Sequence, residues 1–89
     1  MLEVSFTTQF KRDYKLCVKR GYNMLLLQNI IHILSIPSVL SEKNREHDLK
    51  GTYRGKRECH ILPDWLLIYK VTGKQKAILY QQKYEDGFL

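Results

Sequence analysis

The apolar patterning of this chain predicts an α+β fold in which an N-terminal strand, a two-helix hairpin and a three-stranded antiparallel meander complete one sheet. Three observations carry that expectation. Leu2, Val4 and Phe6 alternate with polar residues, as in a strand with one buried face. Phe10, Tyr14, Cys17 and Val18 recur at helical spacing, and a second apolar helical stretch follows. Two apolar-rich runs, Glu58 to Leu62 and Trp65 to Val71, flank Pro63-Asp64, a pair suited to the centre of a type I turn.

Taken in order, the first strand covers Leu2 to Phe6, and Thr7 or Thr8 offers an N-cap for a helix from Gln9 to Arg20. Lys11, Arg12, Lys15, Lys19 and Arg20 spread over its outer face. Gly21 ends it, Asn23 caps a second helix from Met24 to about Ser35, and Pro37 prevents continuation. The second helix is apolar over more than one stripe, which predicts packing between the sheet and the first helix. His32 has no metal-ligand neighbour at suitable spacing and reads as structure or surface. Ser38 to Asp48 reads as a polar loop. His47 to Arg57 then gathers Lys50, Arg54, Lys56 and Arg57 around Gly51, Gly55 and Tyr53, a composition that either approaches a phosphate chain closely or forms a turn in a basic loop. With Pro63-Asp64 as the turn, Leu62 faces Trp65 and His60 faces Leu67, so an imidazole, a carboxylate and an indole gather at one end of the hairpin. That cluster is either chemistry or a solvated turn. Thr72-Gly73-Lys74 reads as a second turn and Ala77 to Gln81 as the last strand. The remaining tail is too short for an independent helix.

With 89 residues the chain suits a single domain, 1–89, with one modest core burying roughly 60–65% of the extended-chain surface. A hydrophobic fraction of 44% argues against disorder, and no apolar run approaches the ~20 residues that cross a bilayer. The N-terminus lacks the basic-then-apolar order of a signal peptide, so a soluble, cytoplasmic protein without membrane contact is expected. Cys17 and Cys59 lie among apolar neighbours and read as reduced core residues. A net charge of +6 suits a polyanion or an acidic protein partner, or a merely solvated surface.

The block HDLKGTYRGKRECHILPDWLLIYKV resembles the YafQ branch of the RelE superfamily, whose run reads H-x-L-x-G-x-[WY]-x-G-x-R-[ED]-x-H-[IV]-x-P-D-W-[IL]-L-I-Y-K. His47, Leu49, Gly51, Tyr53, Gly55, Arg57, Glu58, His60, Pro63, Asp64 and Trp65 all fall in register. The resemblance implies a RelE-like fold and a type II toxin. It also implies a ribosome-dependent endoribonuclease that cuts mRNA in the A site, the 2′-OH attacking the adjacent phosphate to leave a 2′,3′-cyclic phosphate. It implies metal-independent catalysis with no cofactor, a DinJ-like antitoxin as partner, and operator DNA reached only through that antitoxin. His47, His60 and Asp64 fall where the family places active-site residues, and imidazoles suit proton transfer near neutral pH. Trp65 packs beneath the site or stacks on a base, and Lys50, Lys56 and Arg57 are candidates for phosphate contact by position and charge.

The C-terminus departs from the pattern. Family members end R-T-G-[ST]-H-[SA]-x-L-F, whose His is catalytic, whereas this chain ends Gln81-Gln82-Lys83-Tyr84-Glu85-Asp86-Gly87-Phe88-Leu89. Depending on register, Glu85 or Tyr84 takes the position of the His. The alternative function is therefore a catalytically weakened relative that acts mainly by binding its antitoxin as a co-repressor.

Overall fold

The computed structural model describes residues 3–36, 40–72, 76–84 and 87–88. β1 (Glu3–Phe6) leads into α1 (Thr8–Lys19) and α2 (Met24–Ser35). β2 (His47–Asp48), β3 (Arg57–Leu62), β4 (Trp65–Thr72), β5 (Lys76–Tyr84) and β6 (Gly87–Phe88) follow, with 3-10 turns at Glu42–Asn44 and Gly51–Tyr53. The caps read from the sequence are in place. Thr7 Oγ1 accepts from Phe10 N at 3.1 Å, Asn23 Oδ1 accepts from Leu25 N at 3.2 Å, and Gly21 takes the left-handed conformation after α1.

The strand order is β1-β5-β4-β3-β2, with β1 parallel to β5 and the β5-β4-β3-β2 run antiparallel. The parallel pair needs a long crossover, and the helix pair lies within it. Three expectations are corrected. β2 is an extra strand, unreadable beforehand because two residues show no alternation and pair only because β3 lies beside them. β5 runs to Tyr84 instead of stopping at Gln81, since β4 gives it partners as far as Trp65, and β6 folds back on its end. The register slips between His60 and Leu62, so Leu62 faces Trp65 as expected but His60 faces Leu66 and not Leu67. Of the expected turn at Thr72-Gly73-Lys74, only Thr72 lies within the described residues.

The helices share one side of the sheet, α1 against β5 and α2 against β3 and β5, so α2 is not layered between the sheet and α1. Its buried stripe is Leu27, Ile30 and Leu34, while Leu25 is 65% exposed. Cys59, Ile61, Trp65, Leu67 and Tyr69, alternate positions of β3 and β4, join this core.

A buried polar knot ties α1 to the sheet. β1 ends beside Leu79, so β5 beyond that point loses its parallel neighbour. Asp13, buried on α1, fills the gap: Oδ2 accepts from Gln82 N at 2.9 Å and Oδ1 from Gln9 Nε2 at 2.9 Å. The Gln82 side-chain oxygen in turn accepts from Trp65 Nε1 at 2.7 Å and from Cys17 Sγ at 3.3 Å. Asp13→Ala leaves a buried strand amide without an acceptor, and urea denaturation should register a loss of about 1–3 kcal/mol.

Both cysteines are free and buried. Burial, with Asp13 nearby, pushes the Cys17 thiol up to about 11, and burial, with Glu46 and Glu58, pushes Cys59 up to about 12. Above the ordinary thiol value of 9.0 the unfolded chain releases protons that the native chain keeps, so stability falls as pH rises. The urea midpoint should therefore drop more steeply between pH 9 and 11 in the wild type than in Cys17→Ala/Cys59→Ala.

Candidate active site

Because side chains alternate along a strand, Glu58 and His60 project from the sheet face opposite the one carrying Cys59 and Ile61. Leu66 and Ile68, their cross-strand partners, are buried outside the helix-side core, consistent with that second face. β2 sets His47 opposite Glu58. The result is a compact group in which one ring nitrogen of each imidazole and one Glu58 carboxylate oxygen lie within 4.8 Å of one another. The two imidazole centroids are 6.1 Å apart.

Backbone carbonyls hold both rings. His47 Nδ1 lies 2.8 Å from Arg45 O, and His60 Nδ1 lies 3.1 Å from Pro63 O. A carbonyl only accepts, so each Nδ1 donates and each ring keeps Nε2 for other work. His47 Nε2 is 3.0 Å from Glu58 Oε1. With Nδ1 already protonated, that contact needs a second proton, carried by the imidazole or by the carboxyl group. Glu58 is 4% exposed and closes the protein side of the site, while His47 is open to solvent. Arg45 reaches its carbonyl position through a left-handed backbone (φ 47°), and buried Asn44 fastens the same turn by donating from Nδ2 to His60 O at 2.8 Å.

The structure thus brings His47 and His60 together and adds Glu58, which was not among the expected site residues. A signal for it existed, since a residue two positions before His60 on one strand shares its face. Asp64 sits exposed at the turn tip and makes no hydrogen bond or ion pair among the described residues, so the Pro63 carbonyl, not this carboxylate, orients His60. Lys50 is exposed and Lys56 half-buried, each beside a glycine of positive φ in the loop between β2 and β3.

Two expectations are corrected. Trp65 is 1% exposed, with its edge against Tyr22 and its Nε1 bonded to Gln82, so no ring face is open to a base and the residue packs in the core. Arg57 lies on the helix-side face, away from the imidazoles, and is paired with Asp48 and, at 3.2 Å, with Glu46. Burial lowers its guanidinium pKa, but the hydrogen bonds and charges of Glu46 and Asp48 outweigh that and hold it above its ordinary value. Its charge is committed to the loop. β5 ends at Tyr84, whose backbone pairs with Trp65 and Gly87, but its side chain and the whole of Glu85 lie outside the described residues.

Comparison with known proteins gives a consistent picture. A profile described as the bacterial toxin of a type II toxin-antitoxin system, YafQ, matches residues 2–83. The chain is 34% identical over 77 residues to the mRNA interferase toxin YafQ of Escherichia coli K12, covering 81% of this chain and 79% of that one. A metal-bound toxin from Helicobacter pylori superposes with a TM-score of 0.88 at 31% identity, covering 97% of each chain. YafQ in the E. coli DinJ-YafQ complex gives 0.83 at 28% identity, with 97% of this chain and 96% of that chain covered. The fold implied by the resemblance is the fold found.

The carbonyl contacts make the ring tautomers a direct test. Long-range ¹H–¹⁵N spectra should show the proton on Nδ1 of neutral His60, and a proton on Nε2 instead would contradict the Pro63 contact.

Proposed function

Since this chain belongs to the YafQ family of bacterial type II toxin-antitoxin toxins, we propose that it is a ribosome-dependent endoribonuclease acting on mRNA in the A site. One observation carries the reading: His60 Nε2 is left unengaged by Pro63, beside the 3.0 Å contact between His47 Nε2 and Glu58 Oε1. RNA cleavage by the neighbouring 2′-OH needs a group that takes its proton, a group that protonates the leaving 5′-oxygen, and positive charge for the phosphorane. His60 is suited to the first exchange. His47, backed by Glu58, supplies a proton or cationic hydrogen bond to the phosphate oxygens, which end in a 2′,3′-cyclic phosphate. Glu58 acts as a positioning residue through His47, and Lys50 and Lys56 track the strand. Asp64, at the exposed tip, stands where the RNA passes, and Tyr84 or Glu85 supplies what the family's terminal His supplies elsewhere. Activity requires no cofactor in this reading, which places a single-domain toxin in the cytoplasm with no membrane contact.

The partner we propose is a DinJ-like antitoxin, through which operator DNA is also reached. A groove of about 520 Å³ lined by Phe6, Phe10, Tyr14 and Ile31 and flanked by Lys11 and Lys15 suits an amphipathic acidic segment of that antitoxin. The departure of the tail supports a second reading, a weakened nuclease that chiefly binds antitoxin as a co-repressor.

On programmed ribosomes, His60→Ala should slow mRNA cleavage by about 10²–10⁴-fold, and Tyr84→Phe or Glu85→Gln should slow it if that residue replaces the His. Growth arrest that persists in His60→Ala/Asp64→Ala rejects these site assignments, and tight antitoxin binding with uncut mRNA selects the second reading. Lys11→Glu/Lys15→Glu should weaken antitoxin binding at least about tenfold without slowing cleavage.

A further inference from the structure

We propose that Glu46 and Tyr69 are positioning residues for His47: the Tyr69 hydroxyl and the Arg57 guanidinium grip the Glu46 carboxylate, and that grip aims the Arg45 carbonyl at the His47 ring. The catalytic half of this proposal rests on the reading of His47 as part of a nuclease site. The positional half does not.

The carbonyl that holds His47 Nδ1 at 2.8 Å belongs to the planar peptide unit joining Arg45 to Glu46. Its direction is set by ψ of Arg45 and φ of Glu46, so whatever fixes Glu46 fixes the acceptor. Arg45 stands at φ 47°, a left-handed conformation that a residue with a side chain keeps only where its surroundings over-determine it. On its N-terminal side Arg45 N donates to Glu42 O at 3.0 Å, and Asn44 Nδ2 donates to His60 O at 2.8 Å. On its C-terminal side the hold is Glu46.

Both oxygens of that carboxylate are taken. Oε2 accepts from the hydroxyl of Tyr69 on β4, and Oε1 lies 3.2 Å from Arg57 Nη2 on β3. A surface ion pair fixes little by itself, since water competes for two mobile side chains. Here one partner is immobile. Tyr69 is 0% exposed, a member of the same core cluster as Trp65 and Leu67, and a buried hydroxyl needs an acceptor. Glu46 thus reaches the helix-side margin of the sheet, while the next residue, His47, joins β2 and meets Glu58 on the other face. The turn is clamped from both faces.

The consequence is specific to one ring. Loss of the grip on Glu46 frees the Arg45 peptide to rotate and the left-handed turn to relax, so His47 loses the acceptor of its Nδ1 proton. His60, held by Pro63 O in a separate turn, keeps its own.

In long-range ¹H–¹⁵N spectra of the purified protein, Tyr69→Phe and Glu46→Ala should each move the ring nitrogens of His47 toward the values of a histidine free in solution, with those of His60 in place. Tyr69→Phe keeps the buried ring, so it carries the expectation should Glu46→Ala fail to fold. Asp48→Asn weakens the other carboxylate contact of Arg57 but leaves Tyr69 on Glu46, and should leave the His47 tautomer unchanged. His47 signals that stay in place in Tyr69→Phe, or that move as far in Asp48→Asn, overturn the proposal. On programmed ribosomes, Tyr69→Phe should lower the maximal cleavage rate on the order of 10- to 100-fold with little change in KM, as misplacement of a catalytic group does. An unchanged rate beside shifted His47 signals overturns the catalytic half alone and leaves the nuclease reading intact. A wild type that never cuts mRNA removes that reading and the catalytic half together, and leaves the spectroscopic test to decide the positional half.

Discussion

β3 lies between β2 and β4, and that position commits each of its side chains to one of two faces. Cys59 and Ile61 are given to the core beneath the helices; Glu58 and His60 are given to the other side. The division separates charges as well as polarity. Arg57, one residue from Glu58, belongs to the core-side face at the sheet margin, where Glu46 and Asp48 neutralise it. Without that separation, a guanidinium beside Glu58 would compete with His47 for the carboxylate across the 3.0 Å contact. Strand alternation thus decides which basic residues are available to a ligand and which are structural.

The helix side depends on a different constraint. β1 is four residues long and β5 nine, so part of the β5 edge has no strand beside it. A buried amide there costs more than most single contacts return, and Asp13 removes the problem by reaching from α1 to Gln82 N. Gln82 converts this local repair into a link between layers, because its side chain also receives Trp65 from β4 and Cys17 from α1. Trp65 is consequently held from two directions, by that bond and by Tyr22. It adjoins the Pro63-Asp64 turn, so its fixed position carries into the turn whose carbonyl holds His60.

What could be read from the sequence was whatever local chemistry determines. Thr7, Asn23 and Gly21 mark helix ends through their own hydrogen bonds and dihedral freedom, and Pro63-Asp64 marks the hairpin turn for the same reason. The family motif located both histidines. Long-range partners were not legible: Asp13 and Gln82 are 69 positions apart, and nothing near either announces the other. The bulge after His60 was also hidden, since a one-residue slip leaves the apolar pattern of β4 unchanged. The misassignment of Arg57 and Trp65 differs in kind. Period-two alternation sets Arg57 apart from Glu58 and His60 and groups Trp65 with Leu67 and Tyr69, so charge and aromaticity outweighed a pattern that was present.

The tail then takes on a narrower meaning. Among the described residues, the contacts that fix the two imidazoles come from within residues 45–63: the Arg45 carbonyl, presented by a left-handed backbone costing about 1–2 kcal/mol, the Glu58 carboxylate, and the Pro63 carbonyl. Asn44, bonded to the His60 carbonyl, braces the first of these against β3, which carries the second and leads into the turn that supplies the third. None of this draws on residues 81–89, where the chain departs from its relatives. The departure of the tail therefore leaves in place the contacts described for His47 and His60. A site whose fixed part is self-supporting can accept a different proton donor at its variable edge, because the new group has to satisfy only its own reach and acidity, with the rest of the geometry already set.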